Sequence, residues 1–159
     1  MTYTYAASPG GECVIRSDGV CVPADPGNAD YQAYLASGEV ATAVPVSYYQ
    51  TQQAAQLTQE CNAAITGGFT STALGPSYSY PSDPNSQGNQ GCAAASPNGG
   101  MLWCALGGNW ALVQHTQAQA QQVCSSFMTY LNNCQAKLVA LKAQVAAATT
   151  QVDVQSVSW

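Results

Sequence analysis

The chain has 159 residues, of which three are basic and eight are acidic, and its formal net charge is −5. Charged residues make up 7% of the chain, against roughly 25% in an ordinary domain. Three basic side chains cannot neutralise a phosphate backbone, so no nucleic-acid partner is expected. No run approaches the ~18 apolar residues of a membrane span, and the N-terminus lacks a basic start and an apolar core, so we expect neither membrane insertion nor a secretory signal.

The N-terminal part is predicted to form a β-hairpin and a short helix. "ECVIRSDGVCVP" has two short apolar runs around Ser17-Asp18-Gly19, which is typical of a hairpin. A Pro-Gly-Asn turn follows, Asn28 is placed to cap a helix, and Gly38 is placed to end it. Three residues on one apolar face of this helix are candidates for attachment to a neighbouring protein: Tyr31, Tyr34 and Leu35.

A longer helix is predicted from Tyr48 to about Thr66, where Ala54, Leu57, Cys61 and Ala64 recur at steps of 3, 4 and 3. The next 34 residues, 67–100, are rich in Gly, Pro, Ser and Asn. We predict a long inserted loop there, which must pack or bind something. Tyr78 and Tyr80 in this loop are the candidate ligand-binding residues, and packing of both rings on the helices is the alternative.

"MLWCALGGNWALVQHT" predicts a second hairpin that turns at Gly107-Gly108. A two-residue turn pairs Trp103 with Leu112 and Ala105 with Trp110 on one face, and both faces are apolar. We therefore expect the hairpin to be covered on both sides, with the two tryptophans in the core. A platform on which a ligand stacks is the alternative.

The C-terminal region carries the most regular apolar periodicity of the chain, with alternating steps of 3 and 4 from Cys124 to Val152. A helix from Thr116 to Val152 is ~55 Å long, whereas the first long helix reaches ~28 Å. The apolar residues on the part of this helix that the first helix does not reach then need another cover. Either the helix with Tyr31 and Tyr34 covers them, or further copies of the chain do so in a coiled coil, most simply of three chains. The residues of this distal apolar stripe are the predicted oligomer interface: Leu138, Leu141, Val145, Ala148 and Val152.

These elements predict an α+β fold that is mainly helical. An N-terminal β-hairpin and short helix precede a long antiparallel helix pair, into which the loop and the Trp-bearing β-hairpin are inserted. The predicted domains are an attachment segment over residues 1–46 and a helical domain over residues 47–159.

The seven cysteines and the single histidine do not predict a reactive or metal-binding site. The closest cysteines, Cys13 and Cys21, have seven residues between them, and only His115 could join them as a ligand, so no metal or cofactor is expected. Buried thiols are favoured, and a disulfide formed outside the cell stays open. Cys104 and His115 fall about four rungs out of register across the hairpin, and no paired carboxylates or phosphate loop occur, so we predict no catalytic residue and no enzyme.

Two stretches resemble segments of known proteins. "VIRSDGVCVPADPGNADYQAYL" is similar to a segment that recurs in tail fibre and other tail proteins of tailed bacteriophages. "CNAAITGGFTSTALGPSYSYPSDPNSQGN", followed by "LWC", "W", "HT-x-A-Q" and a terminal "VSW", resembles an uncharacterised domain often found at the C-terminal end of such proteins. Together the resemblances extend from Cys13 to Trp159 and assign no catalytic residue.

The resemblance implies a structural component of a bacteriophage virion, made in the bacterial host cytoplasm and located in the tail. A tail fibre or baseplate-associated subunit that assembles with its own copies and with other tail proteins is the function we expect. The alternatives are a tail module that binds a receptor or a host-surface glycan, and a capsid decoration protein.

Overall fold

The computed structural model describes residues 3–159. The chain divides into two compact units, the first ending at Tyr49 and the second running from Gln50 to Trp159. In chain order, the elements are β1 (Tyr5–Ala7), β2 (Cys13–Arg16), β3 (Cys21–Pro23), α1 (Ala29–Ser37), α2 (Val46–Thr66), β4 (Phe69–Ser71), β5 (Tyr78–Tyr80), α3 (Pro84–Ala95), β6 (Gly100–Leu106), β7 (Asn109–His115), α4 (Gln117–Ala147) and α5 (Gln151–Ser156).

The first unit contains an antiparallel sheet with the strand order β1-β2-β3. The predicted hairpin is confirmed, since β2 pairs with β3. A disulfide between Cys13 and Cys21, whose Cα atoms are 5.9 Å apart, joins the same two strands. This pairing answers the disulfide question that the sequence left open.

Helix α1 begins and ends where its sequence predicts. The Asn28 side chain accepts a hydrogen bond from the Tyr31 main-chain N–H at 3.0 Å, and Gly38 closes the helix with φ at 67°. Tyr31 and Tyr34 are half-buried against a small core that contains Tyr5, whereas the third candidate attachment residue, Leu35, is exposed.

The second unit contains an antiparallel sheet with the strand order β4-β5-β6-β7. Its main core joins the sheet to α4, and its buried members are Phe69, Ala73, Tyr80, Cys104, Val123 and Phe127. A smaller cluster of Ala93, Leu102 and Ala120 joins α3, β6 and α4. Helix α4 therefore packs against the sheet and against α3.

The predicted arrangement of the fold is wrong, although its α+β class is confirmed. The chain is mixed rather than mainly helical, because two antiparallel sheets of three and four strands accompany the helices. No long antiparallel helix pair forms the framework of the described chain. The main chain of α4 lies closest to α3 and β4, whereas α2 reaches α4 through single side-chain contacts such as Tyr130 Oη to the Ala64 carbonyl.

The predicted loop over residues 67–100 is largely regular structure, since it holds β4, β5 and α3. Helix α3 begins at a favourable cap despite its two glycines. Asp83 accepts hydrogen bonds from the main-chain N–H groups of Asn85 and Ser86, and Pro84 occupies the first turn, where a missing N–H costs nothing.

The prediction of one helix from Thr116 to Val152 is also wrong. Helix α4 ends at Ala147, and α5 starts at Gln151 after three intervening residues. There the Thr150 side chain accepts a hydrogen bond from the main-chain N–H of Asp153. Threonine side chains compete with the helical hydrogen bonds of the main chain, which favours a new helix start here. Val154 of α5 is fully buried, whereas Val152 is 75% exposed.

The other predicted interface residues are buried or half-buried in the described structure. Val145 is buried, and Leu138, Leu141 and Ala148 are half-buried. At this end of α4, the Gln50 side chain donates to the Ala148 carbonyl at 3.0 Å, and Gln53 donates to the Val157 carbonyl at 2.6 Å. The distal helix interface stays a prediction, but the uncovered stripe that motivated it is largely absent.

Among residues 3–159, no helix combines the length and the apolar character that a bilayer crossing requires.

Candidate functional site: the tryptophan hairpin

Strands β6 and β7 form the longest antiparallel pairing in the described structure, with seven residue pairs from Gly100–His115 to Leu106–Asn109. The turn between them is Gly107-Gly108, whose φ angles are 59° and 85°. Two consecutive positive φ angles are what a type I′ turn requires, and glycine adopts them without steric cost. The predicted register, including the Trp103–Leu112 and Ala105–Trp110 pairs, is confirmed.

The inner face of the hairpin is part of the core. Leu102 packs with Ala93 and Ala120, while Cys104 packs in the main core cluster. His115 at the end of β7 is fully buried. Helices α3 and α4 therefore supply the cover that this apolar face needs.

The outer face carries four large apolar side chains that are about half exposed, and we call it the tryptophan face: Met101, Trp103, Trp110 and Leu112. The prediction that both tryptophans lie in the core is wrong, because Trp103 and Trp110 are 51% and 53% exposed. Alternation along the two strands places the two tryptophans together on the outer face, whereas the inner face makes the buried contacts with the helices. The tip is exposed on both faces, since Leu106 and Ala111 of the inner face are also exposed.

A buried pair of polar side chains fixes the base of the hairpin to β5. His115 Nδ1 lies 2.8 Å from the Val113 carbonyl, which can only accept, so this nitrogen carries the proton. His115 Nε2 then accepts a hydrogen bond from the Tyr80 hydroxyl at 2.9 Å. Burial raises the pKa of Tyr80, which keeps its hydroxyl protonated as the donor.

Gly99 lets the start of β6 approach the end of β7. Its φ is 68°, and a Cβ on it would overlap the His115 carbonyl. Any other residue would therefore have to push the two strands apart at their base. The double-glycine turn at one end and Gly99 at the other together set the hairpin geometry.

The two tyrosines that were candidate ligand residues do not form an exposed loop. Tyr80 is fully buried and bonded to His115, and Tyr78 is half-buried against the main core. The alternative interpretation, in which these rings pack within the protein, describes their positions. The ligand-loop hypothesis based on Tyr80 is therefore replaced by a structural role.

Two shallow grooves flank the tryptophan face, and one tryptophan contributes to each. Trp103 and Leu112 line a groove of about 120 Å³, to which α3 contributes Ser86, Asn89 and Gln90. Trp110 lines a wider groove of about 460 Å³ beside β4 and β5. No Asp, Glu, Lys or Arg lines either groove, so both grooves present apolar side chains and neutral hydrogen-bonding groups.

The hairpin offers no accessible nucleophile and base in the described structure. Cys104 is buried, and its burial raises the pKa of its thiol and disfavours the reactive thiolate. Both ring nitrogens of His115 are already hydrogen-bonded. No group of three or more His, Cys, Asp or Glu residues within residues 3–159 could hold a metal ion.

Sequence comparison matches residues 48–156 to a family model described as Domain of unknown function (DUF4376). The match runs from the first turn of α2 to the end of α5 and includes the whole tryptophan hairpin. A search of curated proteins found no match, and neither did a search of solved structures.

Proposed function

The chain belongs to the DUF4376 family, and we propose that it is a structural component of a bacteriophage virion. In this proposal it is a tail fibre or baseplate-associated subunit that acts by assembling with its own copies and with other tail proteins. The resemblance of its two long sequence segments to tail proteins supports the virion assignment. The observation that carries the assembly role is the tryptophan face.

Assembly explains a surface that is costly for an isolated protein. Four large, half-exposed apolar side chains lie together on one face of two strands, and residues 100–116 contain no charged residue at all. Contiguous apolar patches on a protein surface commonly mark interaction sites. Contact with a partner would bury this apolar area, and each Å² removed from water would stabilise the complex by about 25 cal/mol.

Binding of a neutral host-surface glycan is the second candidate function. The specific observation in its favour is that Trp103 borders a groove that also contains the amide side chains of Asn89 and Gln90. An aromatic face can pack on the apolar side of a sugar ring, while amides exchange hydrogen bonds with its hydroxyl groups. The alternative location within the virion is the capsid, where the chain would act as a decoration protein.

The virion assignment is tested on particles released from the bacterial host. Particles purified by density gradient are analysed by mass spectrometry, and gold-labelled antibody to the chain is located by electron microscopy. We expect the chain in the purified particles and the label on the tail. Label on the capsid would support a decoration protein instead, and absence of the chain from the particles would refute the virion role.

The glycan alternative is tested with purified host-surface polysaccharide. Trp103→Ala should abolish binding if the groove recognises sugar, whereas Trp159→Ala, which removes a tryptophan that stacks on Lys137 away from the hairpin, should leave it intact. If the unmodified chain does not bind the polysaccharide, the glycan function is refuted.

A further inference from the structure

The sheet of the second unit has two very different edges. At one edge, β4 is three residues long and packs against α4. At the other, β7 is seven residues long, contains no proline and no charged residue, and exposes most of its side chains. Natural proteins normally protect such edges with charges, prolines or covering segments, because an open edge pairs readily with another strand.

The hairpin register identifies the main-chain groups that point outward from β7. A two-residue turn makes Leu106–Asn109 a hydrogen-bonded pair, and such pairs alternate along the strands, so Ala111 and Val113 are bonded to β6. The N–H and C=O groups of Trp110, Leu112 and Gln114 then face away from the sheet. Within residues 3–159, none of these groups has a hydrogen-bond partner.

We propose that β7 pairs with β7 of a second copy of the chain, antiparallel and about a two-fold axis at Leu112. The two four-stranded sheets then become one continuous sheet. This inference deepens the proposed assembly role, because it names the partner and the strand with which that partner pairs. Its biological meaning rests on the proposed function.

The sequence pattern of β7 favours β7 of a second copy as its pairing partner. With Leu112 opposite Leu112 of the second copy, Trp110 lies opposite Gln114, and every outward donor meets an outward acceptor. The strand contains no charge, so no like charges oppose each other across the pair. Because opposite residues share a face, the two tryptophan faces become one larger apolar surface on the same side of the sheet.

The test uses the full chain and places charges at the proposed axis. Sedimentation equilibrium should show a dimer for the unmodified chain. Leu112→Glu and Leu112→Lys should each weaken dimerisation at least tenfold, because each places like charges directly opposite each other. A mixture of the two variants should dimerise again, since the charges across the pair are then opposite.

A matched control separates edge pairing from stacking of the apolar faces. Met101 lies on the tryptophan face and is as exposed as Trp110, but it belongs to β6, which lies between β5 and β7 in the sheet. Met101→Glu should therefore leave the dimer intact. Dispersal by Met101→Glu with no effect of Leu112→Glu would overturn edge pairing in favour of face-to-face docking, and failure of the mixed variants to dimerise would overturn the register.

Amide hydrogen exchange on the unmodified chain provides a readout that needs no mutation. The Leu112 N–H should exchange slowly at concentrations where the dimer forms and quickly on dilution, whereas the Ala111 N–H should be protected at both. A chain that stays monomeric at millimolar concentration, or a Leu112 N–H that exchanges quickly in a dimer, would refute the proposal. The virion experiment is independent, so the failure of either idea can be recognised separately.

Discussion

The buried pair of Tyr80 and His115 provides a quantitative test of how the tryptophan hairpin is anchored. Tyr80→Phe removes one hydroxyl and keeps the ring, which stacks on Phe69 with centroids 5.7 Å apart. His115 Nε2 then loses its donor in a site with no solvent exposure. Leaving a buried acceptor without a partner costs about 1–3 kcal/mol, so we expect the free energy of unfolding to fall by that amount.

Urea unfolding followed by tryptophan fluorescence measures this loss in the relevant part of the chain. All three tryptophans, Trp103, Trp110 and Trp159, lie in the second unit, which also contains the Tyr80–His115 pair. For a chain of this size each kcal/mol shifts the melting temperature by ~2–4 °C. Thermal unfolding should therefore move down by about 2–12 °C, a shift that is easily resolved.

Tyr78→Phe is the matched control, because it removes a hydroxyl from the same strand. Tyr78 is half-buried, and its hydroxyl makes no hydrogen bond in the described structure, so we expect a change within about 0.5 kcal/mol. If Tyr80→Phe were as neutral as Tyr78→Phe, the hydroxyl would not hold His115, and the anchoring of the hairpin to β5 would need another explanation.

Three further predictions concern the hairpin base, the disulfide and a helix cap. Gly99→Ala should destabilise the second unit at least as much as Tyr80→Phe, since its Cβ would overlap the main chain of β7, whereas Gly91→Ala, which meets nothing nearby, should not lower the urea midpoint. Replacing both Cys13 and Cys21 by Ser should cost the first unit about 2–3 kcal/mol for so short a loop, seen as faster proteolysis of that unit. The hydrogen bond from Ser86 lowers the pKa of Asp83 in the folded protein. The ionised Asp83 therefore stabilises the fold fully above the ordinary pKa of an aspartate, and this contribution is lost as the pH falls through the lowered pKa of the folded state. Asp83→Asn should flatten the acid side of the curve of stability against pH.

Local signals in the sequence were sufficient for elements whose determinants lie within a few residues. Asn28 and Gly38 fix the ends of α1 through their own side-chain and main-chain geometry. The Gly107-Gly108 turn fixes the register of the hairpin in the same way, because its length decides which residues are paired. None of these predictions required knowledge of the rest of the chain.

Helix α3 could not be predicted from propensity, because contacts distant in sequence stabilise it. Its sequence, "PNSQGNQGCAAA", has the composition of a loop. The cap at Asp83 starts it, but Ala93 is buried against Leu102 and Ala120, which belong to β6 and α4. Packing of this kind, rather than intrinsic propensity, supplies most of the stability of helices in proteins.

The tryptophan face shows why an apolar pattern does not by itself define a core. Alternation in β6 and β7 correctly groups Trp103 with Trp110, but it is symmetric between the two faces and cannot say which one the helices cover. The inner face carries the small Cys104, and Leu102 meets the alanines of α3 and α4, so helices can approach closely there. The bulky tryptophans would hold a helix farther from the sheet. In the described structure α5 covers part of the distal helix, whereas Trp103, Trp110 and the edge of β7 are open. The proposed contact between copies is therefore better placed on the hairpin than on the distal helix, whose interface stays a prediction.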